Sequence, residues 1–238
     1  MDNGNVHKGH RQKVRQRYLA NGLEGEPAHN VLELLLFYAI PYKDTNPIAH
    51  ALIDRFGSLS GVLRASIPEL ASVKGMGENA AILLHLVLDV YKAYADDLLQ
   101  TGDTMETAEQ IVDFMRPKFI NTVDEKVYVL CFGANGKLLA VRKVAQGDLV
   151  GARLDVRAIA AIVLETNAQD VVLLHNHPNG IASPSGEDIE TTKQLYVFLN
   201  TMHAHLVNHI IVTENGYYSM ADNARFVHLF YGMEPLVD

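Results

Sequence analysis

Cysteine is nearly absent from this chain: Cys131, inside the apolar stretch VYVLCF, is the one thiol among 238 residues. A disulfide framework is therefore excluded, and a reducing, cytoplasmic compartment is expected. Thiolate-rich metal sites are excluded too, so any transition metal must rest on carboxylates and on the 11 histidines. Long apolar runs are also missing. None reaches the roughly 18 residues that cross a bilayer, and the opening MDNGNVHKGHRQKVRQRY is polar and basic, with no apolar segment of a secretory signal. No membrane partner is expected. Internal repeats and low-complexity tracts are absent. Positive charge is not in excess either: the formal net charge is −8, and it is unevenly spread. Residues 1–102 carry 10 Lys/Arg against 11 Asp/Glu, whereas residues 103–238 carry 10 against 17. The rear half should repel nucleic acid. The front need not, because Lys8, Arg11, Lys13, Arg15 and Arg17 cluster there. A hydrophobic content of 48% allows a buried core.

The first hundred residues are helical in pattern. HNVLELLLFYAIP holds a dense apolar stripe that Pro41 stops, and TNPIAHALIDRFG begins at Thr45 or Asn46 and stops at Gly57. Two short segments with Ser at cap-like positions follow, then the long helix NAAILLHLVLDVYKAYADDLL. The character changes near 101–104, which divides the chain into 1–102 and 103–238. Thr104 is placed to cap a helix that ends near Pro117. Strand-like KVYVLCF and KLLAVRKVA then flank the turn GANGK. Helix VRAIAAIVLETN, strand DVVLLH, helix EDIETTKQLYVFLN, strand LVNHIIVT and the hairpin-like ENGYYSM complete the chain. The fold class is an all-helical front followed by an α/β or α+β domain on a mixed sheet.

The chemistry gathers in LLHNHPNGIASPSGED, residues 173–188. Residues i and i+2 of a strand share a face, so His175 and His177 point together while Asn176 turns away. Two imidazoles on one face chelate a divalent ion such as Zn²⁺. After a turn-rich loop, Asp188 arrives in the first turn of a helix, where its short side chain can face the histidines. Two histidines and one carboxylate leave a coordination position for water, the layout of a catalytic rather than a structural zinc. The bland alternative makes Ser185 an N-cap and Asp188 its N3 partner, although Glu or Gln reaches back better than Asp. The second group, His203, His205 and His209, lacks a matching carboxylate, loop and helix start, so packing or surface histidines are expected there. For His209 a core or supporting role is expected.

The spacing HxHx7SxxD, from His175 to Asp188, resembles the JAMM/MPN metalloprotease motif. The surrounding HNHPNG…SPSGEDIETTKQL is similar to the bacterial RadC-like branch, and the front hairpin VKGMGENAA agrees with it. This resemblance covers nearly the whole chain and implies a helix-hairpin-helix front with a JAMM/MPN, cytidine-deaminase-like sheet domain behind. It implies that His175, His177 and Asp188 hold Zn²⁺, that Ser185 donates to an oxyanion, and that an upstream glutamate, placed at Glu125, is the general base. Composition alone does not separate Glu125 from Asp124 or the other glutamates. The chain departs from the family pattern at Asn179, commonly Ser, and at Asn208, commonly Asp. The second change puts a supporting hydrogen bond in doubt.

The implied reaction is hydrolysis of a peptide or isopeptide bond, with a protein or peptide as substrate. SVKGMGENAAILL resembles the helix-hairpin-helix element, in which Gly75 and Gly77 permit a tight turn toward a phosphate and Lys74 adds charge. DNA is thus a second expected partner, and the main rival reading is a DNA-binding protein whose metal domain is structural or recruits partners. The DNA-repair label of the RadC name is an association only. Nuclease chemistry at the same metal fits poorly with the acidic rear half. Oligomeric state is not encoded in any pattern here.

Overall fold

The computed structural model describes residues 4–98, 102–147 and 155–231. The chain separates into two compact units between Tyr94 and Ala95. The expected change of character near 101–104 touches residues 99–101, which lie outside the described ones.

The first unit is helical: α1 (Gly4–Asn21), α2 (Ala28–Ala39), α3 (Asn46–Phe56), α4 (Leu59–Arg64), α5 (Ile67–Ala71) and α6 (Glu78–Leu98), whose last turn passes into the second unit. Its core is leucine-rich, with Leu32, Leu36, Leu52, Leu70 and Leu84 fully buried. Local chemistry sets the joints. Ser58 and Ser66 cap α4 and α5 by accepting from Gly61 N and Glu69 N, and Ser66 with Glu69 closes a reciprocal capping box. Arg11 in the basic stretch is not a free surface charge. Its guanidinium donates to the carbonyls of Phe37, Ile40 and Lys43, satisfying the end of α2, and it lies 4.6 Å over the Phe37 ring.

The second unit begins with α7 (Ala108–Met115) and a 3₁₀ turn (Arg116–Phe119). There follow β1 (Lys126–Phe132), β2 (Leu138–Gln146), α8 (Val156–Thr166), β3 (Asp170–Asn176), α9 (Gly186–Thr201), β4 (His205–Val212), β5 (Tyr217–Ser219) and α10 (His228–Tyr231). The helix start is corrected by three residues: Thr107, not Thr104, caps α7 in a box with Gln110, while Thr104 bridges to Lys137. The sheet order is β2-β1-β3-β4-β5, mixed as expected, with only β3 and β4 parallel.

Both sheet faces are covered, so the central strands are buried on both sides. Val127, Val129, Cys131, Val171 and Leu173 face α8, α9 and α10; Tyr128, Leu130, Phe132, Val172 and Leu174 face α7. His175 continues the series 171, 173 onto the α9 side. A bulge decides what stands beside it. Val171 pairs with Leu206 but Val172 pairs with Asn208, so Val207 is the extra residue. Leu173 consequently pairs with His209, which places His209 rather than Asn208 on the α9 face.

Candidate metal centre

Strand β3 brings His175 and Asn176 to the edge of the sheet, and the next residues leave the ladder. His177 N still donates to Val212 O at 2.9 Å. Asn179 Oδ1 accepts from Ile181 N at 3.1 Å, closing an Asx turn, with Gly180 between them at φ +80°. That left-handed step suits glycine. The turn returns the Ile181 carbonyl to His177 Nδ1 at 2.9 Å. Asn179 therefore does the work of this loop without approaching the ligand atoms.

Three side chains converge where the loop closes. His175 Nε2 lies 2.9 Å from His177 Nε2 and 3.2 Å from Asp188 Oδ1, while His177 Nε2 lies 3.5 Å from Asp188 Oδ2. A tetrahedral ion with bonds of 2.0–2.1 Å separates its ligands by about 3.3 Å. The spacing of His175 Nε2 from Asp188 Oδ1 matches an edge of that tetrahedron, and the two imidazole nitrogens lie somewhat closer together. A carbonyl can only accept, so neutral His177 carries its proton on Nδ1 toward Ile181 and turns a bare Nε2 inward; Nε2 donates to Asp188 only when the ring takes up a second proton. Such an arrangement of lone pairs calls for a cation among them, and a divalent metal fits it.

Ser185 and Asp188 satisfy both readings of their spacing. Ser185 caps α9 in a reciprocal box, and Asp188 does reach back: its Oδ2 accepts from Ser185 N and from Ser185 Oγ, each at 2.7 Å. The two carboxylate oxygens divide the task. Oδ2 serves the box while Oδ1 faces His175, so a short aspartate at N3 is adequate here. Ser185's single hydroxyl proton is directed at Asp188, and donation to an oxyanion requires that bond to open.

The electrostatics favour the metal-competent forms. Burial, set against the neighbouring Asp188, pushes the pKa of His175 down to about 4. His177 moves upward, chiefly through its hydrogen bond to Asp188, and more weakly through the nearby charge of Glu125. For Asp188 burial acts to raise the value, but His177, His175 and the two Ser185 donors outweigh it and hold the carboxyl below its usual range. The carboxylate stays ionised; the proton that His177 attracts is what a metal would displace. Side-chain exposure is 1% for His175, 2% for Asp188 and 10% for His177, so solvent enters from the His177 side.

Glu125 precedes β1, whose Val127 pairs with His175 across the antiparallel β1–β3 ladder, and its charge acts on the His177 imidazole. Asn176, turned away from the histidines, extends the ladder with its own amide: Oδ1 accepts from Lys126 N at 2.8 Å, and Nδ2 donates to Asp124 O at 3.2 Å. The backbone on both sides of Glu125 is thus tied to the metal strand. No sequence pattern marks Asn176 for that task.

Behind the centre lie His209 and Thr192, both fully buried. His175, Asp188 and His209 also offer ligand atoms within 4.8 Å of one another. His177 is the better third ligand, because both nitrogens of His209 are engaged elsewhere: Nε2 with His175 Nδ1 at 2.9 Å, and Nδ1 with Thr192 Oγ1 at 2.7 Å. His203 and His205 stand apart and exposed, His203 at φ +57° and His205 beside Asp170 at 3.5 Å. Asn208 leaves the centre undisturbed. Its side chain binds Ser219 and Ala221 N, which secures β5 instead.

A helix-covered mixed sheet with two histidines at the end of its central strand and an aspartate in the first turn of the following helix has the arrangement of a JAB-type domain. The family model described as RadC-like JAB domain matches residues 105–225, and the chain belongs to that family. It is 33% identical over 222 residues to a UPF0758 protein of Fusobacterium nucleatum, covering 90% of this chain and 96% of that one.

Proposed function

We propose that this protein is a zinc-dependent hydrolase of peptide or isopeptide bonds. The convergence of His175 Nε2 and His177 Nε2 at 2.9 Å on the Asp188 carboxylate, Oδ1 at 3.2 Å from the first and Oδ2 at 3.5 Å from the second, carries the reading. Zinc at these ligands supplies a Lewis acid and acidifies water near neutral pH. The remaining work falls to the chain. Glu125, whose charge acts on His177, accepts the proton of the attacking water as oxygen bonds to the carbonyl carbon. It returns that proton to the amide nitrogen as the C–N bond breaks. Ser185 keeps Asp188 oriented, and its hydroxyl serves the oxyanion when it rotates from the carboxylate.

The test is metal analysis of the full chain followed by cleavage of a peptide-bond substrate panel. Zinc should be present at about one ion per chain, the occupancy of a catalytic site with three protein ligands. His177→Ala should lose it. Glu125→Gln should keep the metal and lose turnover, and a Glu125→Gln protein that cleaves as well as wild type would show that the base lies elsewhere.

A second reading, contact with nucleic acid through the front unit, is supported by the turn before α6. Lys74, Gly75 and Gly77 are exposed there, and Gly75 adopts φ +95°. Glu78 in the first turn of α6 opposes a phosphate. Lys74→Glu in the full chain should abolish retardation of duplex DNA at low salt; no retardation by wild type discards this reading.

A further inference from the structure

We propose that His209 and Thr192 form a positioning pair that decides which nitrogen of His175 carries its proton, so that a bare Nε2 faces the metal site. The proposal rests on His175 being a metal ligand. A metal-bound imidazole ordinarily donates its other N–H to a carboxylate, a carbonyl or water, of which the first two can only accept. Here the partner of His175 Nδ1 is a second imidazole, which can donate or accept. Something must make it an acceptor.

Thr192 does so. Its Oγ1 lies 2.6 Å from the carbonyl oxygen of Asp188, one turn earlier in α9, and a carbonyl only accepts. The single hydroxyl proton is committed to that bond; the other candidate, Met220 Sδ at 3.7 Å, is a weak acceptor. Oγ1 is then left to accept from His209 Nδ1–H at 2.7 Å. His209 Nε2 therefore holds a lone pair, and it receives the Nδ1–H of His175 at 2.9 Å. His175 Nε2 is bare, beside His177 and Asp188. Reversing every bond would set the lone pairs of Thr192 and the Asp188 carbonyl against each other at 2.6 Å. Thr192 is 0% exposed and His209 is 1% exposed, so water is excluded from both. A group left unpaired there has no water to replace its lost partner. The chain of bonds starts on the backbone of one ligand, Asp188, and ends on another, His175, through α9, β4 and β3.

Two measurements on the full chain test this. Nitrogen-15 long-range NMR of the histidine rings in metal-free wild type should show His209 and His175 both protonated on Nδ1. Either ring protonated on Nε2 overturns the proposal, whether or not the protein binds zinc. Zinc affinity by chelator competition should fall by roughly 10–100-fold in Thr192→Val and His209→Leu, as expected for loss of a ligand's outer partner. Thr192→Ser, which keeps the hydroxyl, and His209→Gln, which offers an acceptor to His175 and a donor to Thr192, should recover most of it. Folded Thr192→Val and His209→Leu proteins with wild-type affinity overturn the pair. Wild type that binds no zinc refutes the metal reading, and the NMR result then decides the pair alone. A zinc-loaded spectrum in which His209 is a ligand overturns it as well.

Discussion

At the scale of single residues, burial and hydrogen-bond direction decide what each group does. Cys131 is fully buried among Val129, Val171 and Ile159, and burial pushes its thiol pKa upward. The thiolate is the reactive form. Cys131 should thus resist a thiol reagent in the native chain at neutral pH and react as one thiol after unfolding in denaturant; rapid native reaction would show that the α8 side of the sheet opens. The two histidines of the HxH were legible from alternation alone, because i and i+2 on a strand must share a face. Glu125 was not separable from Asp124 in the sequence. The folded chain separates them: the charge of Glu125 acts on His177, whereas the Asp124 carboxylate accepts from Gln146 at 3.4 Å.

Secondary-structure elements carry the next decisions, mainly at their ends. Thr107 and Ser185 both close reciprocal capping boxes, on α7 and α9. Replacing either by Ala should cost about 1 kcal/mol in denaturant unfolding. The two should differ in metal binding: Thr107→Ala leaves zinc affinity unchanged, whereas Ser185→Ala weakens it by releasing Asp188 Oδ2. Equal affinities would mean that the α9 cap does not orient the ligand. Gly75 illustrates a turn that a side chain cannot occupy, since its φ is +95° and a Cβ there would meet Ile48 Cδ1 at 2.9 Å. Gly75→Ala should lower stability by about 1 kcal/mol or more; an unchanged unfolding midpoint would contradict the turn as described. The bulge at Val207 was invisible in the sequence, where LVNHIIVT is an uninterrupted apolar strand pattern. Without it Asn208 would face α9 and His175 would lose its partner.

For the molecule as a whole, the division between Tyr94 and Ala95 gives two cores with separate compositions, one leucine-packed and helical, one built on a sheet. The candidate metal ligands His175, His177 and Asp188 all lie in the second. At a free concentration one hundred times the dissociation constant, binding stabilises a folded unit by about 2.7 kcal/mol. Calorimetry of the full chain should therefore show the sheet unit's transition moving upward with zinc and back with chelator, while that of the helical unit stays in place. A shift of both together would mean that the units unfold as one. Among the described residues no helix is long and apolar enough to cross a membrane.

Local pattern alone determined the helical front, the strand–helix alternation behind it, and the spacing that puts His175, His177 and Asp188 at the ends of β3 and α9. Those are short-range matters of period and capping, settled within a few residues. Only the folded chain decided that Glu125 comes near His177, that Asn176 ties down the backbone on either side of it, and that Thr192 and His209 meet behind His175. The physical reason is that strand register, one bulge and the docking of α9 on the sheet bring together groups 17 and 34 residues apart, and no local periodicity carries that information.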